Sequence, residues 1–263
     1  MRIVLIGAGN LATNLGRALK EAGENIIQVY SRTEESASAL AARLDCPYTC
    51  SLETVSLEAE LYIVSVKDSV LSDVLVSLYT PERADALFVH TAGSMPLSVF
   101  DRAGIGRCGV FYPMQTFSKL RPVDFVHLPV FVESKRQDDL PLLRSLAVEL
   151  SADVYEMPSE KRRYLHLAAV FACNFANHCY ARAGQILQEQ GIPFDVMLPL
   201  IDETAAKVHG MSPREAQTGP AVRYDRNVME RHLELLNENT DAAEEYELLS
   251  RGIHALRHSG DTD

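Results

Sequence analysis

The 263-residue sequence has no excess of positive charge and no long hydrophobic run. Its 25 Lys and Arg residues are outnumbered by 36 Asp and Glu residues, which gives a formal charge of −11. This balance argues against nucleic acid or an anionic membrane as a general partner, because both are densely negative. No apolar run approaches the ~18 residues that span a bilayer, and Met1 leads directly into a predicted strand without room for a signal peptide. We therefore expect a cytoplasmic protein that binds neither membranes nor nucleic acids.

Cysteine is scarce and scattered. The five cysteines form no CxxC pair and no cluster with the spacing of metal ligands: Cys46, Cys50, Cys108, Cys173 and Cys179. We expect reduced cytosolic thiols and no metal site. The hydrophobic content of 47% is that of an ordinary globular protein, and 263 residues are enough for two domains.

A glycine-rich turn stands near the start of the chain. Residues 7–12, Gly-Ala-Gly-Asn-Leu-Ala, follow the apolar run Met1–Ile6 and open a segment with apolar residues at helical spacing. A strand, a tight glycine turn and a helix together bind the pyrophosphate of a dinucleotide. Gly7 permits the turn, and Gly9 lets the backbone approach the phosphates. We predict that four residues of this turn bind the cofactor: Gly7, Gly9, Asn10 and Leu11.

The end of the second predicted strand indicates which dinucleotide binds. An NAD site usually has Asp or Glu there, to accept a hydrogen bond from the ribose 2′-hydroxyl. This chain has Ser31, Arg32 and Thr33 after the strand Ile26–Tyr30. Two hydroxyls and a guanidinium suit a 2′-phosphate, which Arg binds with its two-pronged fork. We predict NADP(H) as the cofactor, bound by these three residues. The alternative is a solvated Arg32 beside a Ser31 or Thr33 that only caps the next helix.

The first ~155 residues alternate strand-like and helix-like segments, which is typical of a parallel sheet. Further strands are predicted at 61–66, 86–90, 108–112, 129–133 and 153–156, and helices at 34–43, 68–79 and 137–150. From Ser159 onward no strand is predicted, and helical periodicity covers 160–190, 194–209, 225–236 and 241–256. We therefore predict an α/β fold, with a Rossmann dinucleotide-binding domain at 1–157 followed by an all-α domain at 158–263.

Several motifs resemble those of known families. They are residues 7–10, His90–Ser94, Pro113–Ser118, Phe171–Phe175, and Gln217–Pro220 followed by Arg223 and Asp225. A Rossmann domain followed by a helical domain with one long leading helix resembles the 6-phosphogluconate dehydrogenase-like superfamily, which includes pyrroline-5-carboxylate reductases and deazaflavin-dependent NADP reductases. The chain more closely resembles a bacterial family of Rossmann-like proteins whose helical C-terminal domain has no known function. This resemblance implies a C-terminal domain like that of 6-phosphogluconate dehydrogenase.

Polar residues follow the predicted strands at the sheet edge where ligands bind in such folds. We predict cofactor contacts from Ser65, Val66, Lys67, His90 and Gly93. Gly93 is expected to allow close approach of the backbone to the nicotinamide. The alternatives are that Lys67 is a surface charge and that His90 is a buried structural histidine.

Three further residues in these strand-end loops are candidates for contact with the substrate. Ser94 and Gln115 are predicted catalytic residues, and Thr116 a predicted substrate-binding residue, because their amide and hydroxyl groups could orient a carbonyl or imine carbon. The alternatives are that Ser94 is a plain helix cap before Pro96 and that the loop after Tyr112 only fixes the domain junction.

The long helix carries polar residues on an apolar face. His166, Val170, Asn174 and Asn177 fall at i, i+4, i+8 and i+11 and share one side of a regular α-helix. Resemblance to reductases of the superfamily implies a proton donor and an amide from this helix, although the lysine motif of the related hydroxyacid dehydrogenases is missing. We predict His166 as the proton donor, Asn174 as a second catalytic residue and Asn177 as a substrate contact. A structural or interface histidine is the alternative.

The segment after residue 216 contains two further candidates for contact with the substrate. Thr218 precedes a predicted helical run whose start would suit a carboxylate, and Arg223 could add charge. We predict that both bind the substrate; a capped turn between helices is the alternative.

Together these features predict an NADP(H)-dependent oxidoreductase that transfers a hydride to or from a small carbonyl, imine or hydroxyacid. The alternative is an NADP-binding regulatory or assembly protein without redox turnover. The long helix is apolar around much of its girth, with Leu165, Leu167 and Phe171 among its apolar residues. A helix of this kind must be buried on most sides, so we expect a homodimer formed by the helical domain.

Overall fold

The computed structural model describes residues 1–236 and 239–258. Eight strands form one sheet in the order β3-β2-β1-β4-β5-β6-β7-β8. They are β1 (Arg2–Ile6), β2 (Asn25–Tyr30), β3 (Tyr48–Thr49), β4 (Leu61–Val64), β5 (Leu87–His90), β6 (Cys108–Pro113), β7 (Val130–Ser134) and β8 (Val154–Glu156). The order from β3 to β6 is that of a Rossmann fold, in which the crevice for the ligand lies between β1 and β4.

One pair of strands is antiparallel. All the neighbouring strands run parallel except β6 and β7, which pair from Gly109 with Ser134 to Pro113 with Val130. The connection between them, residues 114–129, contains no helix. Parallel strands need a crossover to return the chain to the same end of the sheet, and without one the chain can only run back beside itself. The sheet is therefore mostly parallel, as the alternating strands and helices predict, with one antiparallel pair.

Eleven α-helices accompany the sheet in the part of the chain that the structure describes. They are α1 (Asn10–Glu21), α2 (Glu34–Leu44), α3 (Asp68–Leu78), α4 (Leu140–Leu150), α5 (Ser159–Ala169), α6 (Ala176–Glu189), α7 (Leu198–Gly210), α8 (Pro213–Ala216), α9 (Pro220–Arg223), α10 (Arg226–Leu235) and α11 (Thr240–His258). A π-helical segment, Val170–Phe175, joins α5 to α6. None of the described helices is both long and apolar enough to cross a membrane.

Helices cover both faces of the sheet. Ile3 and Leu5 of β1 belong to the core cluster that contains apolar side chains of α1, α2 and α4. Val4 and Ile6, which alternate with them, belong to the cluster on the other face, with α3. Because successive side chains of a strand point to opposite faces, a strand covered on both sides reads as a continuous apolar run. Because such runs are easy to recognise, the predicted bounds of the central strands are close to the observed bounds.

The chain divides into two compact units, Met1–Asn174 and Phe175–Asp263. The first unit contains the whole sheet with α1 to α5. The second is helical over the residues described, and among those residues only Ala221, Ala242 and Ser250 are buried. A helical unit of this size with so few buried residues has almost no hydrophobic core of its own.

Candidate functional site

A cleft of about 940 Å³ lies at the carboxyl ends of the strands of the first unit. Its lining comes from the loops and helix starts that follow β1, β2, β4, β5 and β6, and from α5. Most of the predicted cofactor residues line it: Gly7, Gly9, Asn10, Leu11, Ser31, Arg32, Thr33, Ser65, Val66, Lys67 and Gly93. Gln115 and His166 line the same cleft.

The glycine turn leaves open space for a ligand at the start of α1. A Cβ added to Gly9 would meet no protein atom within 4 Å. Gly9 is the N-cap of α1, with no side-chain cap and no acidic residue in the first turn. The backbone amides at the start of α1 therefore face an uncrowded space of positive potential, which suits a pyrophosphate.

Gly7 allows close approach between the turn after β1 and the loop after β4. Its φ is +115°, and an added Cβ would lie 2.1 Å from the carbonyl oxygen of Ser65. Any other residue would push the turn after β1 away from the loop after β4. Gly7 thus brings together the two loops that flank the crevice.

Residues at the end of β2 form a polar group at the rim of the cleft. Ser31, Arg32, Thr33 and Ser36 line it together, and Arg32 is exposed. Thr33 is the N-cap of α2, but its hydroxyl makes no capping hydrogen bond. The alternative in which the Thr33 side chain serves as the helix cap is therefore wrong, since the geometry leaves this hydroxyl to other partners. Ser36 was not predicted; it is the third residue of α2 and lines the cleft together with Arg32.

A carboxylate is among the groups that line the cleft. Asp68, the first residue of α3, lines the cleft and accepts a hydrogen bond from Ser94. Ser94 is not a helix cap, because the 3₁₀ helix that follows begins at Leu97 and its N-cap is Pro96. The hydroxyl predicted as catalytic is thus tied to the cleft through Asp68.

Gly93 makes room for two side chains. A Cβ added there would lie 2.5 Å from Nδ1 of His166 and 2.8 Å from Cζ of Tyr112. Tyr112, at the end of β6, is buried, and its hydroxyl lies 3.1 Å from His166 Nδ1. Because Gly93 has no side chain, the rings of Tyr112 and His166 have room to meet beside its backbone. Sequence reasoning missed Tyr112, although its position at the end of an apolar strand was a signal.

The side chain of His90 lies outside the cleft, contrary to its predicted cofactor contact. The ring is fully buried and stacks on Phe100 at 5.5 Å between centroids, and Nδ1 accepts a hydrogen bond from the amide of Ala92. Burial, assisted by the positive charge of Arg162, lowers its pKa from 6.5 to about 3. The inward side of β5 directs this ring into the core, so the structural alternative describes His90 correctly.

Gln115 and Thr116 are exposed neighbours in the loop after β6. Gln115 Oε1 accepts hydrogen bonds from the amide and the hydroxyl of Thr116 at 2.8 and 3.4 Å. Only Gln115 is among the residues that line the cleft.

Asn174 and Asn177 are exposed and do not line this cleft. The predicted common face of His166, Asn174 and Asn177 assumed one regular α-helix. The π-helical segment at 170–175 instead has i→i+5 hydrogen bonds, so the spacing of 3.6 residues per turn does not continue through it. The common face of these residues therefore stays a prediction.

Thr218 and Arg223 belong to the second compact unit, and both are exposed. The helical run expected after Thr218 is a single turn, α9, whose N-cap is Gly219 and which ends at Tyr224 in a left-handed conformation. One turn supplies little helix dipole, so the support that a helix start gives a carboxylate is weaker here than the sequence predicts.

Comparisons with known proteins agree with this geometry. Residues 2–93 match the family described as "NADP oxidoreductase coenzyme F420-dependent", and residues 128–253 match a domain of unknown function, DUF2520. A crystal structure from Bacteroides fragilis, assigned as an NADP oxidoreductase, is 54% identical; the match covers 96% of this chain and 97% of that chain, with a TM-score of 0.93. The chain belongs to the NADP oxidoreductase family.

More distant structures share the fold of this NADP oxidoreductase. A Thermotoga maritima protein is 22% identical over 98% of this chain and 99% of that chain, with a TM-score of 0.70. An imine reductase from Myxococcus stipitatus, solved in complex with NADP⁺, is 16% identical over 98% and 93% of the two chains, with a TM-score of 0.66. The chain has no significant sequence match among curated proteins. The Rossmann fold, the family and NADP(H) as cofactor are therefore confirmed.

Proposed function

We propose that this NADP oxidoreductase transfers a hydride between NADP(H) and a small carbonyl, imine or hydroxyacid substrate in the cleft of the first unit. The observation that carries the proposal is the joint lining of the cleft by Gly9, at the open start of α1, and His166, on α5. A dinucleotide whose pyrophosphate lies at α1 extends towards β4 and β5. Its nicotinamide end then lies on the side of the Tyr112–His166 pair.

His166 is the proposed proton donor for reduction. The bound cofactor supplies the hydride, and the protein supplies orientation and a proton. An imidazole is the side chain best suited to proton transfer near neutral pH. Ser94 and Gln115 are proposed to orient the reacting group, since Gln115 lines the cleft and Ser94 is bonded to a residue that does.

A test must separate nucleotide binding from turnover. We expect Gly9→Val to abolish NADPH binding in calorimetry, because its side chain would fill the space left for the pyrophosphate. Gly106→Val is the matched control, because a Cβ there also meets nothing within 4 Å, at a position outside the cleft.

Turnover is tested by NADPH oxidation with a panel of cyclic imines and ketoacids. We expect His166→Ala to lower turnover by about 10²–10⁴ while NADPH still binds, with the exposed His209→Ala as control. Tight NADPH binding without turnover of any compound would favour the second candidate, a regulatory or assembly protein.

We further propose that the chain forms a homodimer through its helical region. Large apolar side chains of the second unit are exposed, among them Leu200, Leu235 and Leu248 at 58%, 84% and 65%. A second copy would cover this surface and supply the burial that the unit lacks.

Three other predictions remain proposals. They are the domain boundary at 157/158, the cytoplasmic location, and the roles of five site residues. Asn174 is proposed as a catalytic residue, and Thr116, Asn177, Thr218 and Arg223 as substrate contacts. The location is supported by the cysteines, all five of which are free thiols.

A further inference from the structure

We propose that Tyr112 is a positioning residue that holds His166 in one tautomer, with its Nε2 nitrogen as the one that exchanges protons with the substrate. This inference rests on the proposed role of His166. Its geometric basis is the 3.1 Å contact between the Tyr112 hydroxyl and Nδ1 of His166 inside the cofactor cleft.

The protonation state of Tyr112 allows it to be the donor in this hydrogen bond. Burial raises the pKa of Tyr112, and the charges facing it are Arg162 of α5, which lowers the pKa, and Asp68 of α3 and Cys173 of the π segment, which raise it. The phenol is therefore neutral at physiological pH and has a proton to donate. A neutral imidazole that accepts this proton at Nδ1 must carry its own proton on Nε2.

The same burial argues against Tyr112 as the proton source. A phenol whose pKa is raised above 10 gives up its proton far less readily than an imidazolium. For transfer, His166 takes up a solvent proton at Nδ1, which then donates to the tyrosine oxygen, and the resulting imidazolium passes its Nε2 proton to the substrate. Gain of a solvent proton at Nε2 and loss of the Nδ1 proton restore the tautomer in which Tyr112 donates to Nδ1.

The packing around the pair leaves it little freedom. Gly93 lies against both rings, since an added Cβ would come within 3 Å of each. The two ring planes meet at 73°, with centroids 6.1 Å apart. One turn before His166, the buried Arg162 donates hydrogen bonds to Glu133 and to the carbonyl of Met95, which fixes the helical turn that carries the imidazole.

The first experiment needs no substrate. In the ¹⁵N-histidine-labelled protein at pH 8, with the His166 signals assigned by their loss in His166→Asn, we expect an unprotonated, hydrogen-bonded Nδ1 and a protonated Nε2. Tyr112→Phe should move the Nδ1 shift towards that of a free imidazole, as should Gly93→Ala. Tyr164→Phe is the matched control, because Tyr164 is 75% exposed on the same helix. A wild-type His166 with its proton on Nδ1, or a Tyr112→Phe spectrum identical to wild type, would overturn the proposal.

The second experiment is a double-mutant cycle on a compound of the panel that is turned over. We expect Tyr112→Phe to lower kcat about two- to tenfold, the value of one neutral hydrogen bond, without changing NADPH affinity. In a His166→Ala background the same substitution should have no further effect. Multiplicative losses would mean that Tyr112 acts independently of His166 and would overturn the positioning role. Absence of all turnover would count against the proposed function and leave the NMR result to decide the role of Tyr112.

Discussion

We propose that single residues at the rim of the cleft determine which nucleotide binds. Arg32 is exposed and lies with Ser31, Thr33 and Ser36 where a ribose 2′-phosphate would reach the end of β2. None of these four side chains is acidic, so the group lacks the carboxylate that accepts a hydrogen bond from the ribose 2′-hydroxyl in an NAD site.

We expect Arg32→Ala to remove most of the preference for NADPH over NADH. A charge-assisted hydrogen bond contributes about 1.5–3 kcal/mol, so NADPH affinity should fall roughly ten- to a hundredfold while NADH affinity is unchanged. Calorimetric titration of both nucleotides measures this. Arg43→Ala removes the same charge from the far end of α2 and serves as control. Equal wild-type affinities for the two nucleotides would contradict the assignment of the phosphate site.

His90 makes stability depend on pH. Its folded-state pKa of about 3 lies below the ordinary 6.5, so the unfolded chain takes up the proton first as the pH falls. The stabilisation is therefore complete above pH 6.5 and is lost progressively towards pH 3.

Between pH 8 and pH 5 we expect this group alone to lower the free energy of unfolding by about 2 kcal/mol. Urea unfolding at pH 8 and at pH 5 measures how much of the free energy of unfolding is lost between the two pH values. We expect this loss to be about 2 kcal/mol smaller in His90→Gln than in wild type. The Gln side chain can still accept a hydrogen bond from the Ala92 amide. The same loss in both proteins would show that His90 is not held neutral.

At the level of whole elements, α5 is fastened to the sheet by its first turn. Glu133 of β7 accepts hydrogen bonds from the amide and hydroxyl of Ser159, at 3.0 and 2.6 Å, and from the guanidinium of Arg162. The Arg162 side chain is fully buried and Glu133 is 17% exposed. Removing one partner would leave the other charge buried without compensation.

We expect Arg162→Met to lower the free energy of unfolding by about 3–5 kcal/mol, the usual cost of breaking a buried ion pair from one side. Urea unfolding measures the effect, and Arg163→Met, at the exposed next position of α5, is the control with little expected change. If the two variants were equally stable, the ion pair would not be what anchors α5.

The same helix shows what a sequence pattern can and cannot predict at this scale. Apolar spacing predicted a continuous helix over 160–190, and the structure has helical residues from Ser159 to Glu189. The π segment was not predictable, because a single wider turn changes the hydrogen-bond partner and leaves the residue pattern nearly intact. The pattern therefore does not determine which side chains share a face, and the placement of Asn174 and Asn177 beside His166 stays a prediction.

At the level of the whole molecule, the first unit was well predicted and the arrangement of the site only partly so. Buried strands, glycine turns and strand-end loops are local signals, and they placed Gly9 and Arg32 in one cleft with Lys67. The Tyr112–His166 pair joins residues 54 positions apart, and the burial of His90 depends on the packing of Phe100. Contacts of this kind are set by tertiary packing, which a local pattern does not encode.

The proposed homodimer predicts the mass of the protein in solution. Light scattering at micromolar concentration should give about twice the 29.1 kDa of one chain, with an interface above ~2,000 Å². We expect Leu200→Glu and Leu248→Glu together to shift the mass towards one chain, because charges would replace two exposed leucines of the helical unit. Leu57→Glu, at a leucine of similar exposure in the first unit, should leave it unchanged. A wild-type mass near 29 kDa would refute the dimer.

The order of the cleft residues along the chain has a consequence for biosynthesis. Every residue that lines the cleft precedes Asn174, the last residue of the first unit. A ribosome adding about 5–20 residues per second needs roughly 5–18 s for the remaining 90 or so. Small domains fold at about 1 s⁻¹ or faster. The nascent first unit thus has time to fold and take up NADPH during translation, and the bound nucleotide would stabilise it by mass action before residue 263 is added.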